Sequence, residues 1–128
     1  MDIKKTKINF EDDRGVIRDI FSHTEIDAGT FITCAKDSIR GNHYHEKTMQ
    51  YDYILSGSFT VYSQKEKGAT IEEAKVETGD FITHPFPCRH AYKALEDSSM
   101  ISFTFGPRQG EEYEKDTIRL EGEDKIAS

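Results

Sequence analysis

Short runs of β-branched and aromatic residues alternate with polar positions along most of the chain, and turn-forming residues punctuate them. This period-2 pattern predicts strands over 15–21, 29–36, 38–45, 49–55, 58–64, 70–77, 80–84, 89–96 and 98–105. Turn signals separate them at Asp27-Ala28-Gly29, Ser56-Gly57 and Thr78-Gly79-Asp80. The stretch 66–77 has a partly helical look, but Gly68 and the alternation of Ile71 and Glu73 against Glu72, Ala74 and Val76 favour a strand. Beyond Gly106-Pro107 the charged run Glu111, Glu112, Glu114, Lys115 and Asp116 predicts a solvated turn or short helix. A last segment near 117–120 is expected to pack on the outside. Many short strands at this spacing predict an all-β sandwich or barrel. No repeat, Pro-rich stretch or Ser/Gly linker divides the chain, so a single domain over 1–128 is expected.

Composition reinforces this picture. Ile, Val, Thr, Phe and Tyr total 41 of the 128 residues, against 13 for Ala, Leu and Met, and the first set suits pleated sheets. The formal charge is −7, which argues against a sequence-independent grip on nucleic acid phosphates. No apolar stretch resembles a secretory leader or a membrane span, and Cys34 and Cys88 are too few for a disulfide framework. Both are expected to be free core thiols in a cytoplasmic protein without membrane partners.

The candidate chemistry lies in histidines. His43 and His45 are one residue apart in a strand candidate, so their side chains point to one face, where one ion or substrate meets both imidazoles. His90 falls in a separate strand candidate. Gln50 and Asp52 share a face if their strand is regular, which puts a carboxylate beneath the histidines as a hydrogen-bond partner. His23 and His84 are expected to be structural.

Spacing adds to this. Gln50 follows His45 after four residues and Gly57 after six more, while Gly79, Pro85 and His90 form a second block. This resembles the two motifs of the cupin family, with Gln50 in place of the usual Glu, Pro87 where Gly is usual and Ala94 where Asn is usual. The resemblance implies a small double-stranded β-helix, a jelly-roll barrel, with the three histidines at its mouth. It also implies a homodimer. The string Arg40-Gly41-Asn42-His43-Tyr44-His45 with Gln50, the early Asp13-Arg14-Gly15 and the late Tyr113-Glu114-Lys115-Asp116-Thr117-Ile118-Arg119 are similar to the sugar nucleotide 3,4-ketoisomerases. The first string is also similar to the dTDP-4-dehydrorhamnose 3,5-epimerases. His90 and Thr117 depart from the ketoisomerase pattern, which has aromatic residues near those places.

The resemblance implies an isomerase or epimerase of a nucleotide-activated 4-keto sugar that needs no cofactor. His43 and His45 would be acid and base, since imidazole titrates near neutral pH. Arg40 would stabilise the enediolate, and Arg14, Lys47, Arg89 and Tyr92 would bind the sugar nucleotide. Two other readings stand beside it. One is a metal-dependent, dioxygenase-like cupin in which His43, His45, Gln50 and His90 hold Zn, Ni, Fe or Mn, ions that imidazole suits. The other is a sugar-binding cupin without turnover.

Overall fold

Residues 1–107 and 111–128 are described by a computed structural model, and they form mostly antiparallel strands. In chain order these are β1 (Asp2–Lys5), β2 (Ile8–Asp12), β3 (Gly15–Arg18), β4 (Ala28–Cys34), β5 (Ile39–His45), β6 (Met49–Ser56), β7 (Ser58–Gln64), β8 (Glu72–Glu77), β9 (Asp80–His84), β10 (Arg89–Ala94) and β11 (Ser98–Phe105). A short helix, α1 (Glu111–Asp116), leads into β12 (Thr117–Arg119) and a 3₁₀ turn at Gly122–Asp124. One sheet has the order β1-β9-β6-β11-β4, the other β12-β5-β10-β7-β8, and β2 with β3 makes a separate hairpin. The two five-stranded sheets form an all-β jelly roll, as the strand pattern predicts.

Inward positions repeat a polar-to-apolar gradient from strand to strand. β6 points Gln50, Asp52 and Ile54 inward, and register sets Gln50 beside Thr104 and His84, Asp52 beside Ser102, and Ile54 beside Met100. In the other sheet His90 sits opposite Ser63, Tyr92 opposite Val61 and Ala94 opposite Phe59. One half of the interior is therefore an apolar plug of Cys34, Ile54, Phe59, Val61, Val76, Ile82, Ala94 and Met100 with the ring of Tyr92. The other half is lined by histidine, carboxylate, carboxamide and hydroxyl groups. Burying a side chain such as Phe59 stabilises the fold by roughly 1.5–3 kcal/mol, so the plug holds the sheets together and the polar half is left for chemistry.

Local backbone devices place the polar half. Gly57, at φ +79°, turns β6 into β7 where any Cβ would strike the Ser98 side chain and the Asp97 carbonyl. Gly41 (φ +91°) and Asn42 (φ 55°) create an irregularity opposite His90 and Ala91, after which His43 pairs directly with His90. A Cβ on Gly41 would lie 2.8 Å from the His90 carbonyl oxygen. Asn42 then ties down the chain end, its Oδ1 accepting from the Ile126 and Ala127 amides and its Nδ2 donating to the Ala127 carbonyl. Leu120, Ile126 and Ala127 pack with Ala91 on the outer face of that sheet, against Tyr44 and Tyr62.

The sequence pattern and the structure differ at the N-terminal end. β1 and β2 are too charged to announce themselves, yet β1 forms by edge pairing with β9, helped by a 3.0 Å Lys5–Asp80 ion pair. The strand expected over 15–21 stops at Arg18, because the chain leaves the hairpin and lays Phe21 over the outer face of the first sheet, against Phe81 and Phe103. The strand expected over 89–96 ends at Ala94. The ambiguous stretch is a strand, β8, where it pairs with β7. Among the described residues no helix is long and apolar enough to cross a membrane.

Candidate active site

His43 and His45 project inward from β5 and His90 from β10. Their ring centroids are 4.9 Å apart for His43 and His45, 4.7 Å for His43 and His90, and 5.6 Å for His45 and His90. One ligand nitrogen from each of the three rings lies within 4.8 Å of the others. His45 and His90 are buried, and His43 is the member that reaches solvent. A fourth histidine, His84 at the end of β9, stacks on His90 at 4.4 Å with planes 22° apart. Sequence reasoning set His84 aside as structural, although its alternation with Ile82 put it on the inner face.

Beneath the rings lies a buried relay with Asp52 at its centre. Gln50 Nε2 donates to Asp52 Oδ1 at 3.1 Å and Oδ2 at 2.9 Å, Tyr92 donates its hydroxyl to Oδ2 at 2.6 Å, and His84 Nε2 is 3.3 Å from Oδ2. Burial favours the neutral acid, but the hydrogen bond and charge of His84 with the hydrogen bonds of Tyr92 and Gln50 outweigh it and hold Asp52 below its ordinary value of 3.8. Asp52 is thus a carboxylate. Burial, then the charge of Asp52 and the hydrogen bond to it, push the Tyr92 hydroxyl well above 10.0.

Donor and acceptor chemistry assigns the ring protons. The Tyr92 hydrogen is committed to Asp52, so at 2.7 Å its oxygen accepts from His84 Nε2, which carries a proton. The Cys88 carbonyl can only accept, so His90 Nδ1 donates to it at 3.4 Å and Nε2 holds a lone pair. His43 Nδ1, His84 Nδ1 and His90 Nε2 are buried without a hydrogen-bond partner among the described residues. Burial, then the charges of His45 and Arg119, lower the pKa of His43 to about 4, with Asp52 opposing. His90 is pushed well below 6.5 by burial, then by the charges of His84, His43 and His45. Both rings are neutral at neutral pH and can accept a proton or bind a cation.

The C-terminal segment closes one side. Thr117 pairs with His45 and Arg119 with His43 across β12 and β5. Thr117 Oγ1 is 3.4 Å and Asp116 Oδ2 is 4.0 Å from His45 Nδ1. Asp116 is itself held by Thr48 Oγ1 and the backbone amides of Glu46 and Lys47. A cleft of about 820 Å³ adjoins this wall and is lined by Glu46, Lys47, Pro107, Glu112, Lys115 and Asp116 among others, but, among the described residues, by none of the histidines. Asp116 and Arg119 were visible in the sequence only as part of the terminal signature, without a role.

The basic residues singled out from the sequence occupy different surroundings. Lys47 is exposed on the wall of the large cleft. Arg14 stands in the β2–β3 turn, 82% exposed and paired with Asp12 at 2.6 Å. Arg40 is exposed and donates to the Thr33 carbonyl at 3.0 Å. Arg89 lies over the Tyr44 ring, 5.6 Å from its centroid, and donates to Gln64 at 3.3 Å. Among the described residues none of these four side chains hydrogen-bonds to the histidine cluster, whereas Tyr92 belongs to the relay beneath it.

No protein-family model matches the chain, and no curated protein matches it by sequence. The fold does have solved counterparts. A dTDP-4-dehydrorhamnose 3,5-epimerase from Sulfolobus tokodaii is similar over 85% of this chain and 72% of its own, with 19% identity and a TM-score of 0.75. A sugar 3,4-ketoisomerase from Thermoanaerobacterium thermosaccharolyticum, in complex with TDP, matches over 92% and 86%, with 21% identity and a TM-score of 0.72. A 3,4-ketoisomerase from Helicobacter canadensis matches over 92% and 89%, with 15% identity and a TM-score of 0.78. The chain therefore has the cupin-type jelly-roll fold that these proteins share.

Proposed function

We propose that this protein is an isomerase or epimerase of a nucleotide-activated 4-keto sugar that works by histidine-mediated proton transfer. The observation that carries the reading is His43: a partly exposed imidazole at the edge of a buried polar cluster, backed by two buried histidines, in a fold also found in ketoisomerases and 3,5-epimerases. His43 takes the proton from the carbon beside the ketone, and the C–H electron pair moves into an enediolate. In a ketoisomerase a proton returns to the former carbonyl carbon while the hydroxyl proton of the neighbouring carbon passes to the other oxygen, and in an epimerase a second donor, a water or another side chain, delivers a proton to the opposite face of the same carbon. Either way atoms and electrons balance without oxidant, reductant or cofactor.

The enediolate and the two phosphates need positive charge. Arg119, cross-strand partner of His43 and coupled to it electrostatically, and Lys47 on the cleft wall supply it in this reading. Arg14, Arg40 and Arg89 remain candidates for phosphate or base contacts. Free Cys34 and Cys88 accord with a cytoplasmic enzyme. A homodimer is proposed from the apolar side chains left uncovered: Phe31 (62% exposed), Leu55 and Phe105 on the first sheet's outer face and Phe10, Val16 and Ile17 on the β2–β3 hairpin. Sedimentation of the protein and of Phe31→Glu checks this, the variant shifting toward monomer.

The activity test is deuterium uptake from D2O into dTDP-4-keto-6-deoxyglucose. Uptake is expected in the wild type, lost in His43→Ala and unchanged by EDTA. Equal uptake in the wild type and the variant would reject the assignment. A second reading, a divalent cation held by His43, His45 and His90, draws on the 4.8 Å grouping and the unpartnered nitrogens of His43 and His90. Among the described residues no carboxylate joins that set, and Gln50, the fourth ligand in the cupin pattern, turns its oxygen to His45. Stoichiometric metal in protein purified without added ions would favour this second reading.

A further inference from the structure

Gln50 lies between a charged acceptor and an imidazole. Its Nε2 is within hydrogen-bond distance of both oxygens of Asp52, and its Oε1 is 3.1 Å from His45 Nε2. Exchanging the two ends of the carboxamide would press its oxygen against the Asp52 carboxylate, two acceptors with no proton between them. The amide therefore has one workable orientation. Because Oε1 can only accept, the nitrogen facing it must carry hydrogen.

We propose that Gln50, held by Asp52, is a positioning residue that keeps His45 as the Nε2–H tautomer. In that form the lone pair of neutral His45 is on Nδ1, which faces two more distant acceptors, Thr117 Oγ1 at 3.4 Å, whose own hydrogen goes to the Tyr113 carbonyl at 2.9 Å, and Asp116 Oδ2 at 4.0 Å, so Gln50 at 3.1 Å is the nearer competitor for the ring proton. The hydrogen on Nε2 is committed to Gln50 in every charge state of the ring, so this nitrogen neither accepts the substrate's proton nor binds a cation while the pair is intact. Proton abstraction falls to His43, and His45 becomes the fixed neighbour against which His43 is packed at 4.9 Å. This division of labour rests on the isomerase reading; the tautomer itself does not. The same argument explains why a carboxamide is useful at position 50: its donor end satisfies Asp52 while its acceptor end faces the ring.

Long-range ¹⁵N–¹H correlation NMR of ¹⁵N-histidine-labelled protein, in EDTA, reads the tautomer directly. The wild type is expected to show His45 protonated at Nε2 with a lone pair at Nδ1. Gln50→Met, which fills the space but removes the oxygen, is expected to show a mixture of tautomers. Gln50→Glu, which keeps an oxygen toward the ring, is expected to retain Nε2–H. A wild-type His45 protonated at Nδ1 alone, or an unchanged tautomer in Gln50→Met, overturns the proposal. Deuterium uptake by the same proteins tests the consequence: Gln50→Met should lose at least tenfold in kcat with KM within threefold. A tautomer change without loss of kcat would overturn the positioning role. If the wild type itself exchanges no deuterium, the isomerase reading fails and the NMR result still decides the tautomer.

Discussion

His43 faces His90 across the β5–β10 pairing, their ring centroids 4.7 Å apart and their planes at 87°. This edge-to-face contact joins the one histidine of the cluster that meets solvent to the buried interior, and it follows from the backbone irregularity at Gly41 and Asn42. Such a pair keeps both imidazoles neutral, since a proton on either ring would be poorly solvated and close to its neighbours.

The rate profile should reflect this. A base with a pKa of about 4 is deprotonated throughout the neutral range, so kcat/KM for deuterium exchange should be flat from about pH 8 down to about pH 5 and fall only near 4. An acid limb near 6.5, the ordinary imidazole value, would show that His43 is not the base. The measurement is the initial exchange rate across buffers of constant ionic strength.

Stability should depend on pH in the same region. The folded His43 has a lower pKa than the unfolded chain, about 4 against 6.5, so the unfolded chain binds more protons between those values. Stability is fully present above about 6.5 and is lost as pH falls toward 4. His43 alone contributes up to about 3 kcal/mol of that loss. Urea denaturation in EDTA at pH 7.5 and 4.5 should show the fall, and His43→Gln should flatten it. An equally steep fall in the variant would contradict the assignment.

Gly41→Ala should be destabilising well beyond an ordinary surface change. The backbone at φ +91° disfavours any side chain, and the new Cβ would press on the His90 carbonyl at 2.8 Å. A loss of roughly 1–3 kcal/mol is expected. Because the strain falls between β5 and β10, the His43–His90 contact should loosen as well. Denaturation together with histidine chemical shifts checks both effects.

Tyr92→Phe removes the hydroxyl that donates to Asp52 at 2.6 Å and accepts from His84 at 2.7 Å. Asp52 remains buried with one donor fewer, which costs about 1–3 kcal/mol. A thermal midpoint unchanged from wild type would mean that water or a rearranged His84 replaces the hydroxyl.

Much of the fold was legible because sheets with one face buried write their period into the chain. Strands β4 to β11 lie close to where alternation put them, and the His43/His45 pair faces one way for the same reason. β1, β2 and β12 were not legible as strands, because their stability comes from pairing with β9, β3 and β5 respectively, and the side chains of β1 and β2 are largely exposed. At the site, the period of β6 turned Asp52 inward with Gln50 as expected, but its partners are Gln50, Tyr92 and His84 rather than His43, His45 or His90. His84 was set aside because nothing local separates an inward histidine of a core strand from one that stacks on His90 and reaches Asp52. Arg119 was missed because its partner, His43, is 76 positions away in sequence and they meet only through the register of β12 on β5.

What the chain determines by itself is a set of faces: which residues of each strand look inward, where turns must fall, and that imidazole, carboxylate and carboxamide groups occupy inward positions. Local sterics and the two-residue period of a strand suffice for that. The tertiary structure decides how those faces meet. It puts the polar ends of strands from both sheets together in one half of the interior, gives Asp52 enough donors to stay ionised while buried, and turns Arg40 and Arg89 to other partners. Those outcomes depend on distances between segments remote in sequence, which sheet register and packing set and no local pattern encodes.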